Sequence, residues 1–422
     1  MTSSTEATEA DRDAPAPPGR FPGWWVVTGS FLILTTSSGL GFYGLAVYLN
    51  AFSNEQGWSL SSISFATTLF FVVGGIAGLG VARALARFDS RIVISAGGVL
   101  GGAALAVLGR VEERWELYVV YAVFAVGFSM AGLVPATTLV TRWFHVRRSV
   151  ALSVASTGLS VGGVVLTPLA KRLLDDEGLE AGTPWLGLVF VLGIVPVAWI
   201  FIRNDPADSG WEPDGRIRRA GAPVASLTGT VLADAVRSRF FLAVSFAYVL
   251  ILSSQVGAIQ QLVKLVEERT DPGTARLAVT VLAATSVVAR LAGGRLVQHA
   301  PMMLFAMAFA VVQGVAMVLL ALADTTALLF VAIVVFGATI GNLLMLQPLL
   351  IAERFGVRDY PRIFSRSQFI GMLGTAVGPF LLGWLYDLSG AYRMSYLVAG
   401  VLSIGGAGVL LSGGPAEVES PE

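Results

Sequence analysis

Arg290 is the residue of this chain whose setting most strongly calls for a chemical role. It interrupts the apolar run Val287-Val288-Ala289-Arg290-Leu291-Ala292. In a span read as 274–298 it lies about four residues, or roughly 6 Å at 1.5 Å per residue, past the middle. An arginine at the centre of a membrane helix costs about 2.5–3.5 kcal/mol on an insertion scale, so such residues usually turn towards the protein interior. No Asp or Glu falls within the core of any apolar span, so no internal carboxylate is at hand to neutralise it. An uncompensated guanidinium in a cavity attracts anions and can grip a carboxylate through two parallel hydrogen bonds. The competing reading is that Arg290 snorkels to the membrane surface or braces a gate there. Its distance from the helix end, roughly 12 Å at that rise, is the limit of side-chain reach.

Four uncharged polar side chains are candidate cavity liners beside it: Gln255, Gln260, Asn342 and Tyr43. Polar groups in lipid-embedded helices must find partners, so interhelical hydrogen bonding explains each as well as solute contact does. Gln261 lies about 100° around the helix from Gln260 and ranks lower, as do Gln313 and Gln347. Arg83, Arg87, Asp89 and Arg91, with Arg142, Arg147 and Arg148, form a charge belt that could latch helices at a cytoplasmic gate or simply set topology. Cysteine is absent, which excludes disulfides, thiol catalysis and Cys-ligated zinc, and His145 and His299 lack metal-ligand spacing. Gly97-Gly98-Val99-Leu100-Gly101-Gly102 lacks the strand context of a nucleotide site, and no Walker lysine follows any glycine run. Neither an enzyme nor a bound cofactor or metal is expected.

The elements that position these residues follow from composition. Of 422 residues, 55% are hydrophobic and 13% charged, and the mean hydropathy is +0.74. Soluble domains carry about 25% charged residues, so lipid must be the solvent for most of this surface. Balanced charge without a basic block excludes nucleic acid as a partner. With a ruler of roughly 20 apolar residues per crossing, the chain reads as twelve spans. They are 24–50, 61–83, 91–109, 115–140, 148–172, 184–202, 239–266, 274–298, 301–322, 327–352, 362–387 and 391–412.

Twelve crossings put both termini on one side. Connections on that side carry seventeen Arg and Lys residues against eight on the other, which predicts cytoplasmic termini by the positive-inside rule. The expected division is a disordered tail over 1–21, a six-helix bundle over 22–202, a cytoplasmic loop over 203–238, a second bundle over 239–412 and a tail over 413–422. The halves also repeat. Pro135 and Pro348 precede basic segments 213 residues apart, and Pro168 and Pro379 end glycine-rich runs 211 residues apart. Gly158, Gly162 and Gly163, with Gly371, Gly374 and Gly378, allow close helix contact that either slides or packs rigidly. A same-direction repeat of six helices is the build of carriers whose halves rock around a midplane site.

At these residues the chain resembles a major facilitator superfamily transporter, and within it the monocarboxylate transporter and oxalate:formate antiporter group. Trp143-Phe144-His145-Val146-Arg147-Arg148-Ser149-Val150-Ala151, continuing to Ala155, Gly158 and Gly162, is similar to the pattern that opens helix 5 of that group. Val146 replaces a basic position of the pattern and Ser153 a glycine. Pro22-Gly23-Trp24-Trp25 resembles the start of helix 1, and Val288-Ala289-Arg290 with Gly294 the helix 8 segment that holds the group's substrate arginine. There are departures. Ala86 and Asp89 stand where the superfamily's loop between helices 2 and 3 has aspartate and glycine. Gln298 replaces the matching acid of the second half. Ser286 stands where monocarboxylate transporters have an aspartate, Phe42 where they have a helix 1 lysine, and helix 11 has no lysine.

The resemblance implies an all-α integral membrane protein of twelve transmembrane helices in two pseudo-symmetric six-helix bundles, the major facilitator fold. The expected function is secondary transport of a small, monocarboxylate-like organic anion across the plasma (inner) membrane, by proton-linked symport or anion exchange. The expected assembly is a monomer in the bilayer. The missing buried carboxylate argues against the simplest proton symport. The alternatives are an exporter of larger amphipathic compounds, including drugs or natural products, and a non-transporting receptor on the same fold.

Overall fold

The computed structural model describes residues 21–58, 60–216, 228–299 and 301–414. The expected tail over 1–20, the middle of the central loop over 217–227 and the last eight residues lie outside the described residues. Among those described, the regular structure is helical, and an isolated bridge joins Gly229 to Gly356.

Eleven apolar helical segments among the described residues are long enough to cross a membrane. One of them, Arg148–Phe201, has 54 residues and would reach about 80 Å if straight, against roughly 30 Å of hydrocarbon. It is two helices meeting at Gly178, whose φ of 76° is a left-handed conformation that suits glycine. The twelve membrane helices are therefore α1 Gly23–Glu55, α2 Leu60–Ala84, α3 Ser90–Val107, α4 Arg114–Trp143, α5 148–177 and α6 179–201 in the first half. The second half holds α7 Arg239–Arg269, α8 Pro272–Leu296, α9 Met302–Leu322, α10 Thr326–Phe355, α11 Tyr360–Ser389 and α12 Tyr392–Leu411.

One expectation about the spans needs correction, and two other helices carry irregular turns. No loop separates α5 from α6 between 172 and 184, because Asp175, Asp176 and Glu177 continue α5 and their charges stay at its hydrated end. The carboxylate of Glu55, at the end of α1, accepts from the Leu179 amide at 3.2 Å and so caps α6. Helix α4 is interrupted at Ala131 and Gly132 and restarts at Leu133, which places Pro135 in a first turn where its missing N–H costs little. Helix α1 contains a wider π turn over Ser38–Phe42. There Gly39 and Leu40 offer their carbonyls to Thr167 and Tyr48, at 2.9 and 2.8 Å, which keeps the irregular backbone satisfied in lipid.

The sequence repeat is a repeat of contacts. A Cβ added at Gly158 or Gly162 of α5 would strike the backbone carbonyls of Phe31 or Thr35 in α1. One added at Gly374 or Gly378 of α11 would strike those of Val249 or Ser253 in α7. Each glycine of the first pair lies 216 residues before its counterpart. These contacts lie inside each six-helix half, so the glycines bind each half together and do not line the seam between halves.

At the end of the bundle that carries the termini, the two ends of the central loop make matching attachments. Asp214 accepts from the amides of His145, Val146 and Arg147 at 2.8–3.1 Å, a carboxylate at the start of α5. In the second half Thr228 accepts from the Val357 amide at 3.0 Å, and Asp359 from the Leu232 amide at 2.9 Å.

Candidate functional site

Arg290 sits on α8 six residues before the helix ends and is 1% exposed, so it does not snorkel. Arginine side chains lean towards the N-terminus of their own helix, which aims this one from the termini end towards the middle of the bundle. Its shaft lies on Gly341 of α10, where an added Cβ would fall 2.6 Å from Arg290 Nε and 2.7 Å from Arg290 Cβ. Its Nη1 donates to the backbone carbonyl of Ser156, on α5 of the opposite half. The hydroxyl of Ser153, one turn earlier on α5, donates to the Arg290 carbonyl at 2.6 Å. Nε is buried without an acceptor. No carboxylate pairs with Arg290 among the described residues, and the ionisable group in electrostatic range is Tyr43. The charge is buried, anchored and uncompensated.

The other expected site residues divide. Tyr43 follows the π turn of α1 and rests its ring on Gly163, at 2.8 Å from where a Cβ would stand, within range of Arg290. Asn342 is fully buried, and its Nδ2 donates to Ala289 and Ala338 at 3.0 and 2.9 Å. Its amide therefore clamps α8 to α10 directly behind the arginine. Gln255 is 1% exposed, and both of its amide atoms lack partners. Gln260 lies on an exposed face of α7, whereas Gln261 accepts from Tyr392 at 3.1 Å. The two glutamines differ by one residue, and the rotation of α7 turns Gln261 and not Gln260 into the half. Gln313 and Gln347 are used in interhelical bonds to Ser403 and Ser367, at 3.0 and 3.1 Å.

The charge belt is also divided. Asp89 caps α3 and binds Arg91 at 2.7 Å, and that guanidinium holds the Asp89 carboxyl below its usual range. Arg142 reaches Asn204 at 3.4 Å, within the first half. Arg87 and Arg147 are exposed. Arg83 stands in range of Arg366, and Arg148, 4% exposed, in range of Glu353 and Tyr360, so these two face the second half.

Ser153, Ser156, Gly294 and Gly341 were not foreseen as site residues. Gly294 of α8 meets the Ser153 side chain and the Ser149 carbonyl, the latter 3.1 Å from an added Cβ. Gly75 of α2 meets Phe369 and Met372 of α11, at 2.8 and 3.2 Å from an added Cβ. These seam contacts lie in the termini-side half of the bundle. Ser153 was visible as the replacement of a glycine by a hydroxyl, and Gly341 as the small neighbour of Asn342.

The chain that builds these two six-helix halves matches the profile described as Major Facilitator Superfamily, over residues 31–358. The chain belongs to the major facilitator superfamily. This superfamily member is 24% identical to monocarboxylate transporter 13 of Rattus norvegicus over 407 residues, covering 94% of this chain and 90% of that protein. It is 26% identical to the oxalate:formate antiporter of Oxalobacter formigenes over 187 residues, or 44% of each chain. Among solved structures it is similar to the E. coli fucose:proton symporter FucP, with a TM-score of 0.70 at 15% identity, covering 93% of this chain and 97% of that one. It is also similar to the human organic anion transporter MFSD10, with a TM-score of 0.68 at 16% identity, covering 94% and 100%. These likenesses establish the fold. The protein is a multi-pass membrane transporter for small molecules, related to the monocarboxylate transporters, and its relatives are not enzymes.

Proposed function

We propose that this transporter moves a small monocarboxylate-like anion by alternating access, with Arg290 as its charged anchor. The observation that supports the reading is a guanidinium 1% exposed, without a carboxylate partner among the described residues and with its Nε unbonded. A buried charge left unpaired is costly, and an arriving carboxylate relieves that cost through charge-assisted hydrogen bonds. Tyr43 and Gln255 complete the solute-contacting set, while Asn342 and Gly341 position the arginine. Gln260, on the exposed face of α7, belongs to the same set.

The same arginine gives the solute a handle on the halves. Its Nη1 bonds to Ser156 across the seam, so a bound carboxylate competes with a contact that holds the termini-side end closed. The moving bodies on this reading are 22–202 and 239–412, joined by the loop 203–238, in a monomer with both termini cytoplasmic in the plasma membrane. Arg83 and Arg148 act as gate charges, and the remaining belt residues, Arg87, Asp89, Arg91, Arg142 and Arg147, support them from within the first half.

The test is uptake of labelled lactate, pyruvate, formate and oxalate into proteoliposomes, with and without a pH gradient and internal anion. Uptake that needs internal anion indicates exchange, and uptake that follows the pH gradient indicates proton-linked symport. The proposal fails if none of the four is carried while the Arg290→Ala protein still transports another solute.

A further inference from the structure

A cavity lies away from Arg290, at the termini end of the seam. It measures about 710 Å³, within the roughly 300–1,000 Å³ of typical ligand pockets. One wall is the start of α5 in the first half. The other comes from the second half: the start of α9, the end of α10 and the end of α12. Two opposite charges line it. Arg148 is 4% exposed, and its guanidinium makes one hydrogen bond, from Nε to the Phe144 carbonyl at 3.2 Å. Its terminal nitrogens have no acceptor among the described residues. Glu353, across the cavity on α10, is exposed and makes no ion pair among the described residues, although it stands in electrostatic range of Arg148. His145 is also on the wall. Apart from Ser149 and Gln298, the rest of the lining is apolar and adaptable, with Met302, Met303 and Met307. Its rim is greasy, since Leu304 and Leu411 are 59% and 68% exposed.

We propose that this cavity binds the headgroup of an aminophospholipid of the phosphatidylethanolamine type. The phosphate would sit on the free nitrogens of Arg148, the ammonium on Glu353, and the acyl chains along the methionines towards Leu304 and Leu411. A cation and an anion held apart in one cavity complement a zwitterion, whereas a purely anionic headgroup would meet the Glu353 carboxylate. A guanidinium suits a phosphate through two parallel hydrogen bonds. The apolar rim opens where a membrane protein meets lipid, which favours a lipid over a soluble zwitterion. Because the two walls belong to different halves, a bound headgroup also ties the seam at this end. The inference does not depend on which solute is carried.

Native mass spectrometry of the full chain, purified in detergent and titrated with phosphatidylethanolamine, phosphatidylglycerol and phosphatidylcholine, tests it. The wild type should retain phosphatidylethanolamine in preference to the other two. Glu353→Gln should remove the preference over phosphatidylglycerol while lipid binding persists. Arg148→Gln should weaken both lipids about tenfold, the loss expected for a charge-assisted hydrogen bond. If Arg148→Gln does not fold, the exposed Glu353→Gln still decides. Equal retention of the lipids by the wild type overturns the proposal, as does an unchanged preference in Glu353→Gln. Displacement of the lipid by soluble glycerophosphoethanolamine at a similar concentration overturns the assignment to lipid.

Discussion

The hydroxyl of Ser153 in the first half donates to the backbone carbonyl of Arg290 in the second, at 2.6 Å, and so ties α5 to α8 at the level of the buried charge. One turn further along α5, the Ser156 carbonyl receives the guanidinium of the same arginine. Arg290 thus belongs to the seam through its backbone and to the candidate site through its side chain.

Removing the hydroxyl should loosen that end of the seam. In Ser153→Ala the lost hydrogen bond is worth about 1 kcal/mol, a shift of roughly fivefold towards the state open at the termini end. The chain has no cysteine, so pairs of introduced cysteines carrying spin labels can report the distance between halves directly. An unchanged distance distribution would show that this bond does not hold the seam.

Arg290→Ala should abolish uptake of the anion, and Arg290→Lys should restore only part of it. A lysine keeps the charge but loses the planar fork, and one charge-assisted hydrogen bond of about 1.5–3 kcal/mol corresponds to roughly ten- to a hundredfold in affinity. Competition binding in detergent measures this without a transport cycle. Full affinity in the lysine variant would exclude paired hydrogen bonding.

Gly341→Ala tests the positioning. Its methyl group would lie 2.6 Å from Arg290 Nε and 2.7 Å from Cβ, and overpacking of this kind typically costs about 1–3 kcal/mol. The methyl would also lie 2.8 Å from the Ser286 carbonyl, so the backbone of α8 must shift together with the arginine, and the variant should melt below the wild type and bind anion poorly. Normal binding would mean that Gly341 serves only helix packing.

The Asp89–Arg91 pair makes a pH-dependent contribution whose sign follows from the lowered carboxyl pKa. Stabilisation is full above the ordinary carboxylate pKa of about 3.9 and is lost as pH falls through the lower folded-state value. Asp89→Asn keeps a capping side chain and removes the charge. It should cost about 0.2–1 kcal/mol at pH 7, as partly exposed pairs do. Melting curves from pH 7 down to 3 should show the gap between variant and wild type closing on the acid side. A gap independent of pH would assign the effect to capping alone.

The membrane helices were legible because hydrocarbon thickness sets a minimum run of apolar residues, and the chain satisfies it over and over. The junction of α5 and α6 was not. Asp175, Asp176 and Glu177 read as a loop, but charged residues at the hydrated end of a helix need not leave it, and the turn itself rests on Gly178 and a carboxylate from α1. Arg290 was legible as a lone charge in an apolar run. Its partners were not, because Ser153 and Ser156 lie 137 and 134 residues away on another helix. Gln260 and Gln261 differ by about 100° of helix phase, and only the packing of α7 against α12 decides which of them bonds to α12.

By itself the sequence determined that this protein lives in lipid, crosses it in two repeated sets of helices and carries one arginine that lipid cannot tolerate. Those are properties of composition and local periodicity, and the cost of exposing polar groups to hydrocarbon enforces them. Tertiary structure decided what surrounds that arginine: a glycine beneath its shaft, a clamp of asparagine behind it, and a hydroxyl and a backbone oxygen from the opposite half. Such contacts join residues far apart in the chain, and their geometry depends on helix rotation and close approach, which no local pattern encodes.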